Sequence, residues 1–173
     1  MRFETYEDCL VYAHKNVVEL MTDGVVGGKM AIEEIDSLFT KTRSPLKAVA
    51  LHKEREQTMR YRLCANATLE FITPPEGMRP DEMKAFLERR LDYVKRDAER
   101  IASYARSLLN SIGEESFSAT CEGLEEYSAA LRAKEMAIFW IQYIFRNADR
   151  LYLPIQREKE LEASEILENA VAA

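Results

Sequence analysis

His52 and Glu56 stand four residues apart, a spacing that brings both side chains onto one helix face, where imidazole and carboxylate could ligate a metal or form a polarised base. A dinuclear bundle site would need Glu-x-x-His motifs, and the chain has none. A surface salt bridge is the plainer reading, and His14 has no evident carboxylate partner. Glu135, Gln142 and Asp149 fall seven apart, so a polar line runs along one helix. With Lys53 and Arg60 converging on it, that line could form an internal site for a small ligand or metal. Hydrogen bonds to neighbouring helices or solvent would explain it more simply.

Lys41, Arg43, Ser44 and Lys47 flank the start signal Ser44-Pro45, with Lys53 and Arg55 further on. Free amides and the helix dipole favour negative charge there, so these residues form a candidate anion site for phosphate, an acidic peptide or the chain's own acidic tail. Only Tyr61 offers an aromatic face nearby, and a nucleic-acid partner is not expected. No nucleophile elbow, P-loop, dinucleotide fingerprint, zincin motif or Cys-x-x-Cys occurs. The residues therefore nominate no catalytic group, no cofactor and no metal.

The run Met136 to Phe145 is apolar on every side. It must be surrounded, either inside a bundle or partly by another protein chain. Upstream, Leu124, Tyr127, Leu131 and Ile138 make an ordinary one-sided stripe, which leaves Trp140, Tyr143 and Ile144 pointing away from it. Phe139, Trp140, Tyr143 and Ile144 are accordingly the candidate protein interface.

These groups must be positioned by helices. Leu87, Leu91, Val94, Ala98, Ile101, Ala105, Leu108 and Ile112 alternate in steps of four and three, which predicts a long helix over about 80–112 packed against another. Thr5 and Asp8 form a capping-box pair opening a helix over about 5–22. The glycines from Gly24 to Gly28 predict a loop, followed by a short helix over about 29–40. From Met59 to Phe71 apolar residues alternate as in a strand, yet no partner strand is present, and one helix over 45–72 is the better reading. Thr73-Pro74-Pro75-Glu76-Gly77 ends it. A further helix over about 118–152, stopped by Pro154, pairs with the seam helix as an antiparallel spine, the turn falling near Gly113. Leu161, Leu167 and Val171 mark a weaker tail helix.

The 173 residues are 47% hydrophobic and 31% charged with only 6 Gly and 5 Pro, a composition of helix-rich globular domains. The expected fold is all-α: a single-domain bundle of five or six helices over 1–154, with an acidic tail over 155–173. Cys9, Cys64 and Cys121 are too scattered for a metal site or disulfide framework and read as reduced thiols. An acidic N-terminal stretch without an apolar run, and no segment long enough for a bilayer, suggest a cytoplasmic protein without membrane partners. Asn66-Ala67-Thr68 is then a chance glycosylation sequon. The net charge of −6 is unevenly laid out: Lys41 to Arg62 holds seven bases against Glu54 and Glu56, while five glutamates cluster between Glu158 and Glu168. The leading expectation is a non-enzymatic adaptor, regulator or assembly subunit that binds a protein partner or itself through the aromatic face. A ligand-binding bundle and an anion-binding basic segment are the alternatives.

Overall fold

The computed structural model describes residues 3–110 and 117–171, with side chains over 3–110 and 123–164. The chain folds into α1 (Tyr6–Lys41), α2 (Pro45–Ile72), a 3-10 turn (Pro80–Glu82), α3 (Met83–Asn110) and α4 (Phe117–Val171). No strand occurs among the described residues. Nor is any helix there long and apolar enough to cross a membrane.

The start of α1 is the expected capping box: Thr5 Oγ1 accepts from the Asp8 amide at 3.1 Å, and Asp8 Oδ2 accepts from the Thr5 amide at 3.0 Å. Its continuation corrects the sequence reading, because the expected loop at Gly24 to Gly28 is helical and the helices expected over 5–22 and 29–40 are one. The cause lies in packing. Met21, Gly28 and Ile35 are all buried and fall seven apart, so a single heptad phase passes straight through the glycines. A Cβ built on Gly28 would come within 3.3 Å of Arg62 Cβ, and one on Gly24 within 3.0 Å of the Tyr61 ring. The glycines serve close helix approach here rather than a chain break.

On α2, positions 48, 51, 55, 58, 62, 65, 69 and 72 are buried or half-buried, which gives the facing seam in alternating steps of three and four. Ser44 caps this helix, its hydroxyl accepting from the Lys47 amide at 3.5 Å, with Pro45 in the first turn. The helix over 45–72 is as read, and the strand alternative falls because alternation over Met59 to Phe71 has no sheet to join. Gly77, at φ +80°, makes the reversal after the paired prolines.

α3 and α4 are antiparallel. Asp97 meets Lys134, Tyr104 stacks on Tyr127 at 6.5 Å, and Leu108 lies against Gly123, so rising numbers on one helix match falling numbers on the other. Ile112 and Gly113 lie outside the described residues, as does Cys121. α4 runs without interruption past Pro154, so the helix over 118–152 and the tail are one element, and the described residues form four α-helices where five or six are expected. An internal proline costs about 3 kcal/mol. Partial burial of Leu151, Tyr152 and Ile155 against the core, and a bond from Lys159 Nζ to the Glu4 carbonyl at 2.8 Å, hold the helix across it.

The core joins all four helices at one end. Leu10, Met21, Ile72, Leu87, Ile141 and Ile144 are fully buried there, each removing enough apolar surface for about 1.5–3 kcal/mol. Between Met21 and Ala65 only Gly28 and Ile35 are buried. The distal parts of α1 and α2 thus form a two-helix arm, braced by Arg55 Nε donating to Asp36 Oδ1 at 2.7 Å.

Candidate functional site

Phe139, Trp140 and Tyr143 form a continuous aromatic cluster on α4. Trp140 meets Phe139 and Tyr143 edge to face, each at 5.2 Å between centroids, and Phe139 stacks on Tyr143 at 6.2 Å. Arg146 covers the Phe139 ring at 5.8 Å. Phe139 remains 47% exposed and Tyr143 37%, whereas Trp140 is half-buried against the core and donates Nε1–H to Met136 Sδ at 3.2 Å.

Ile144 does not belong to this surface. It is 0% exposed and lies on the inward line Ala137, Ile141, Ile144 and Ala148. The phase taken from Leu124, Tyr127, Leu131 and Ile138 does not carry forward, because those residues, only half-buried, mark a different stripe from the one the core uses. A straight helix drifts about 20° per heptad against a fixed seam, and the helix is apolar all round in this stretch, so composition could not show the change.

Beside the cluster, α2 and α4 are separated by an open cleft. Its upper part, about 540 Å³, is lined by Tyr61, Met136 and Phe139; its lower part, about 560 Å³, by Leu63, Leu124 and Ala129. Arg60, Cys64 and Arg132 border both parts. Burial pushes the Cys64 thiol pKa up while the Arg132 charge opposes the rise, so near pH 7 the group is a thiol rather than a nucleophilic thiolate.

The expected internal polar site is not internal. Glu135, Gln142 and Asp149 are all solvent-exposed, and of the bases expected to converge on them Lys53 lines neither part of the cleft. Among the described residues no group of three or more His, Cys, Asp or Glu side chains could hold a metal ion. His52 and Glu56 meet as an exposed pair at 3.6 Å, the salt-bridge arrangement.

The buried polar chemistry lies in residues that motif reasoning missed. Asp97 is buried on α3, where Lys134 Nζ reaches Oδ2 at 2.9 Å and Arg100 Nη2 reaches Oδ1 at 2.6 Å. The Lys134 hydrogen bond holds the Asp97 carboxyl below its usual range against an opposing desolvation effect. Lys134 also sits over the Phe71 ring at 4.4 Å. One signal was available: Asp97 stands three residues after Val94, beside the seam, where an acid needs a partner. His14 is buried, with Nε2 at 2.7 Å from the Ile72 carbonyl. Burial lowers its pKa, and the carbonyl contact only partly offsets this. Tyr6 is pushed up to about 12, first by burial and then by the Asp149 carboxylate.

At the tip of the arm, Lys41, Arg43, Ser44 and Lys47 line one concavity of about 670 Å³ together with Leu38 and Leu51. Four of the six candidate anion residues are therefore brought together. Lys53 is exposed outside the concavity, and Arg55 is turned to Asp36 and to Met59 Sδ at 3.1 Å.

No family model, curated protein or solved structure matches the chain.

Proposed function

We propose that this protein is a non-enzymatic helical interaction module that recruits a protein partner through the aromatic cluster and the adjoining cleft. The observation that carries the reading is the exposure of Phe139 and Tyr143 as a stacked pair at the lip of an apolar cleft. A solvated cluster of this kind is stabilised when another surface covers it, and aromatic residues beside an arginine are the usual anchors of such contacts. Free thiols at Cys9 and Cys64, one buried and one half-buried, suit a reducing compartment such as the cytoplasm.

The test is a photo-crosslinking side chain at Tyr143, with the exposed Glu19 position as control, in the cells that make the protein. A discrete protein adduct at Tyr143, absent at Glu19 and lost with Phe139→Ser, is the expected result. Equal labelling at both positions, or no adduct at Tyr143, overturns the reading.

A further inference from the structure

The arm tip and the end of α4 are chemically complementary and cannot meet within one chain. At the tip, Leu46 is 84% exposed, and Leu38, Phe39 and Val49 are exposed beside it in sequence. Lys41, Arg43 and Lys47 fall among these positions in the sequence, with Lys53 further along α2. Among the described residues none of the four has a carboxylate within 4.0 Å, although the half-buried Arg55 further along α2 has found Asp36. The concavity of about 670 Å³ sets three bases, Lys41, Arg43 and Lys47, against one carboxylate, Glu54, beside Leu38 and Leu51, and this net basic, partly apolar surface calls for an acidic, apolar occupant.

The chain carries such a segment at its opposite end. Beyond Ile155, α4 leaves the core and presents Glu158, Glu160, Glu162 and Leu161 to solvent, with Leu161 66% exposed; Arg157 and Lys159 flank Glu158, and Lys159 is turned to the Glu4 carbonyl. The sequence continues the acidic run through Glu165 and Glu168. α4 is antiparallel to α1: Tyr152 packs on Tyr6 at 5.7 Å and Lys159 bonds the Glu4 carbonyl. The acidic stretch therefore points away from the arm. From Glu4 to Lys41 the helical rise spans about 55 Å, whereas the nine residues from Lys159 to Glu168 reach about 32 Å even when fully extended. Self-docking within one chain is excluded by that difference.

From this placement we infer that the acidic end of α4 in one copy docks on the basic arm tip of a second copy, giving head-to-tail self-association. Leu161 fills the concavity between Leu38 and Leu51, and the glutamates meet Lys41, Arg43 and Lys47. The contact is heterologous, so it propagates or closes into a ring, unlike a two-fold dimer. It uses a surface separate from the aromatic cluster and does not depend on that reading.

Sedimentation velocity of the full chain, over a wide concentration range at low and high salt, tests this with two variants confined to exposed sites. One carries Lys41→Gln, Arg43→Gln and Lys47→Gln; the other carries Glu158→Gln, Glu160→Gln, Glu162→Gln and Leu161→Asn, with circular dichroism confirming the helical content of each. The wild type should associate beyond a dimer at low salt. Each variant alone should associate on the order of tenfold more weakly, the effect of losing several exposed ion pairs. Mixed, the two should form a 1:1 complex that grows no further, since one intact tip meets one intact tail. A wild type that stays monomeric overturns the inference. So does association that survives both variants and is lost with Phe139→Ser, a result that assigns it to the aromatic face. Tip-dependent binding of a monomeric chain to phosphatidylserine vesicles overturns it as well, by making lipid the occupant of the tip.

Discussion

Replacing Gly27 and Gly28 separately by alanine should give unequal changes in stability, stabilising at Gly27 and not at Gly28, and the difference tests whether α1 is one helix. A Cβ on Gly27 would meet nothing within 4 Å, so Gly27→Ala gains only the helix-propensity term, about 1 kcal/mol. The same gain at Gly28 is opposed by a contact of 3.3 Å with Arg62 Cβ. That atom is fixed to the α2 backbone and cannot swing aside, and overpacking of this kind costs about 1–3 kcal/mol. Gly28→Ala should therefore lie between neutral and about 2 kcal/mol destabilised, some 1–3 kcal/mol below Gly27→Ala. Urea denaturation followed by circular dichroism reads the global change, and amide exchange over 20–40 localises it. Were Gly27→Ala destabilising, or the two variants equal, the glycines would be serving a turn, and the continuous helix that keeps the arm tip about 55 Å from Glu4 would not exist.

Two further perturbations address the buried polar groups. Lys134→Met keeps an apolar side chain of similar length near Phe71 but removes the ammonium from both the ring and Asp97, leaving Asp97 with Arg100 alone; a loss of about 1–3 kcal/mol in denaturant titration is expected, and adding Asp97→Leu should recover part of it. Because the folded Asp97 pKa is depressed, its contribution is present above about pH 4 and lost as pH falls through the lower folded value, so acid unfolding should be shallower in Lys134→Met. For His14 the folded pKa is lowered by burial, so below about pH 6.5 the unfolded chain binds the proton first and stability falls with acidification. His14→Gln retains a donor for the Ile72 carbonyl and removes the titration; the stability difference between about pH 7 and about pH 5 should shrink, and an unchanged difference would show that another group sets the slope.

What the sequence made legible follows from how local each signal is. The Thr5 and Ser44 caps, the helix over 45–72 and the seam through Leu87 and Val94 depend on residues within a few turns of one another, and each has the place read for it. Gly24 to Gly28 and Pro154 were misread for the opposite reason. Their local propensity opposes a helix, and contacts from distant segments, Arg62 in one case and the Glu4 carbonyl in the other, accompany the helix that forms nonetheless. The candidate sites divide in the same way. Lys41, Arg43, Ser44 and Lys47 are adjacent in sequence and do share a concavity, while only spacing places Glu135, Gln142 and Asp149 inside, and spacing does not say which way a helix is turned. Asp97 and Lys134 are far apart in the chain, so their pairing had no sequence trace beyond an acid beside an apolar seam.

The exposed apolar residues fall into separate groups, and the fold explains why the two proposed contacts should be independent. Tyr61, at the aromatic cleft, and Leu46, at the arm tip, lie on the same helix fifteen residues apart, a rise of about 22 Å. Couplings between sites with no shared partners fade beyond about 7–10 Å, so occupation of one surface leaves the other's affinity unaltered unless the arm itself bends. The seam along that stretch carries Arg55, Thr58 and Arg62 where a tighter coiled coil would carry leucine, so the arm is held by a more polar seam than the core around Ile141 and Ile144. A segment held this way gains more order from a bound neighbour than the four-helix end does, because the core around Ile141 and Ile144 is already closed.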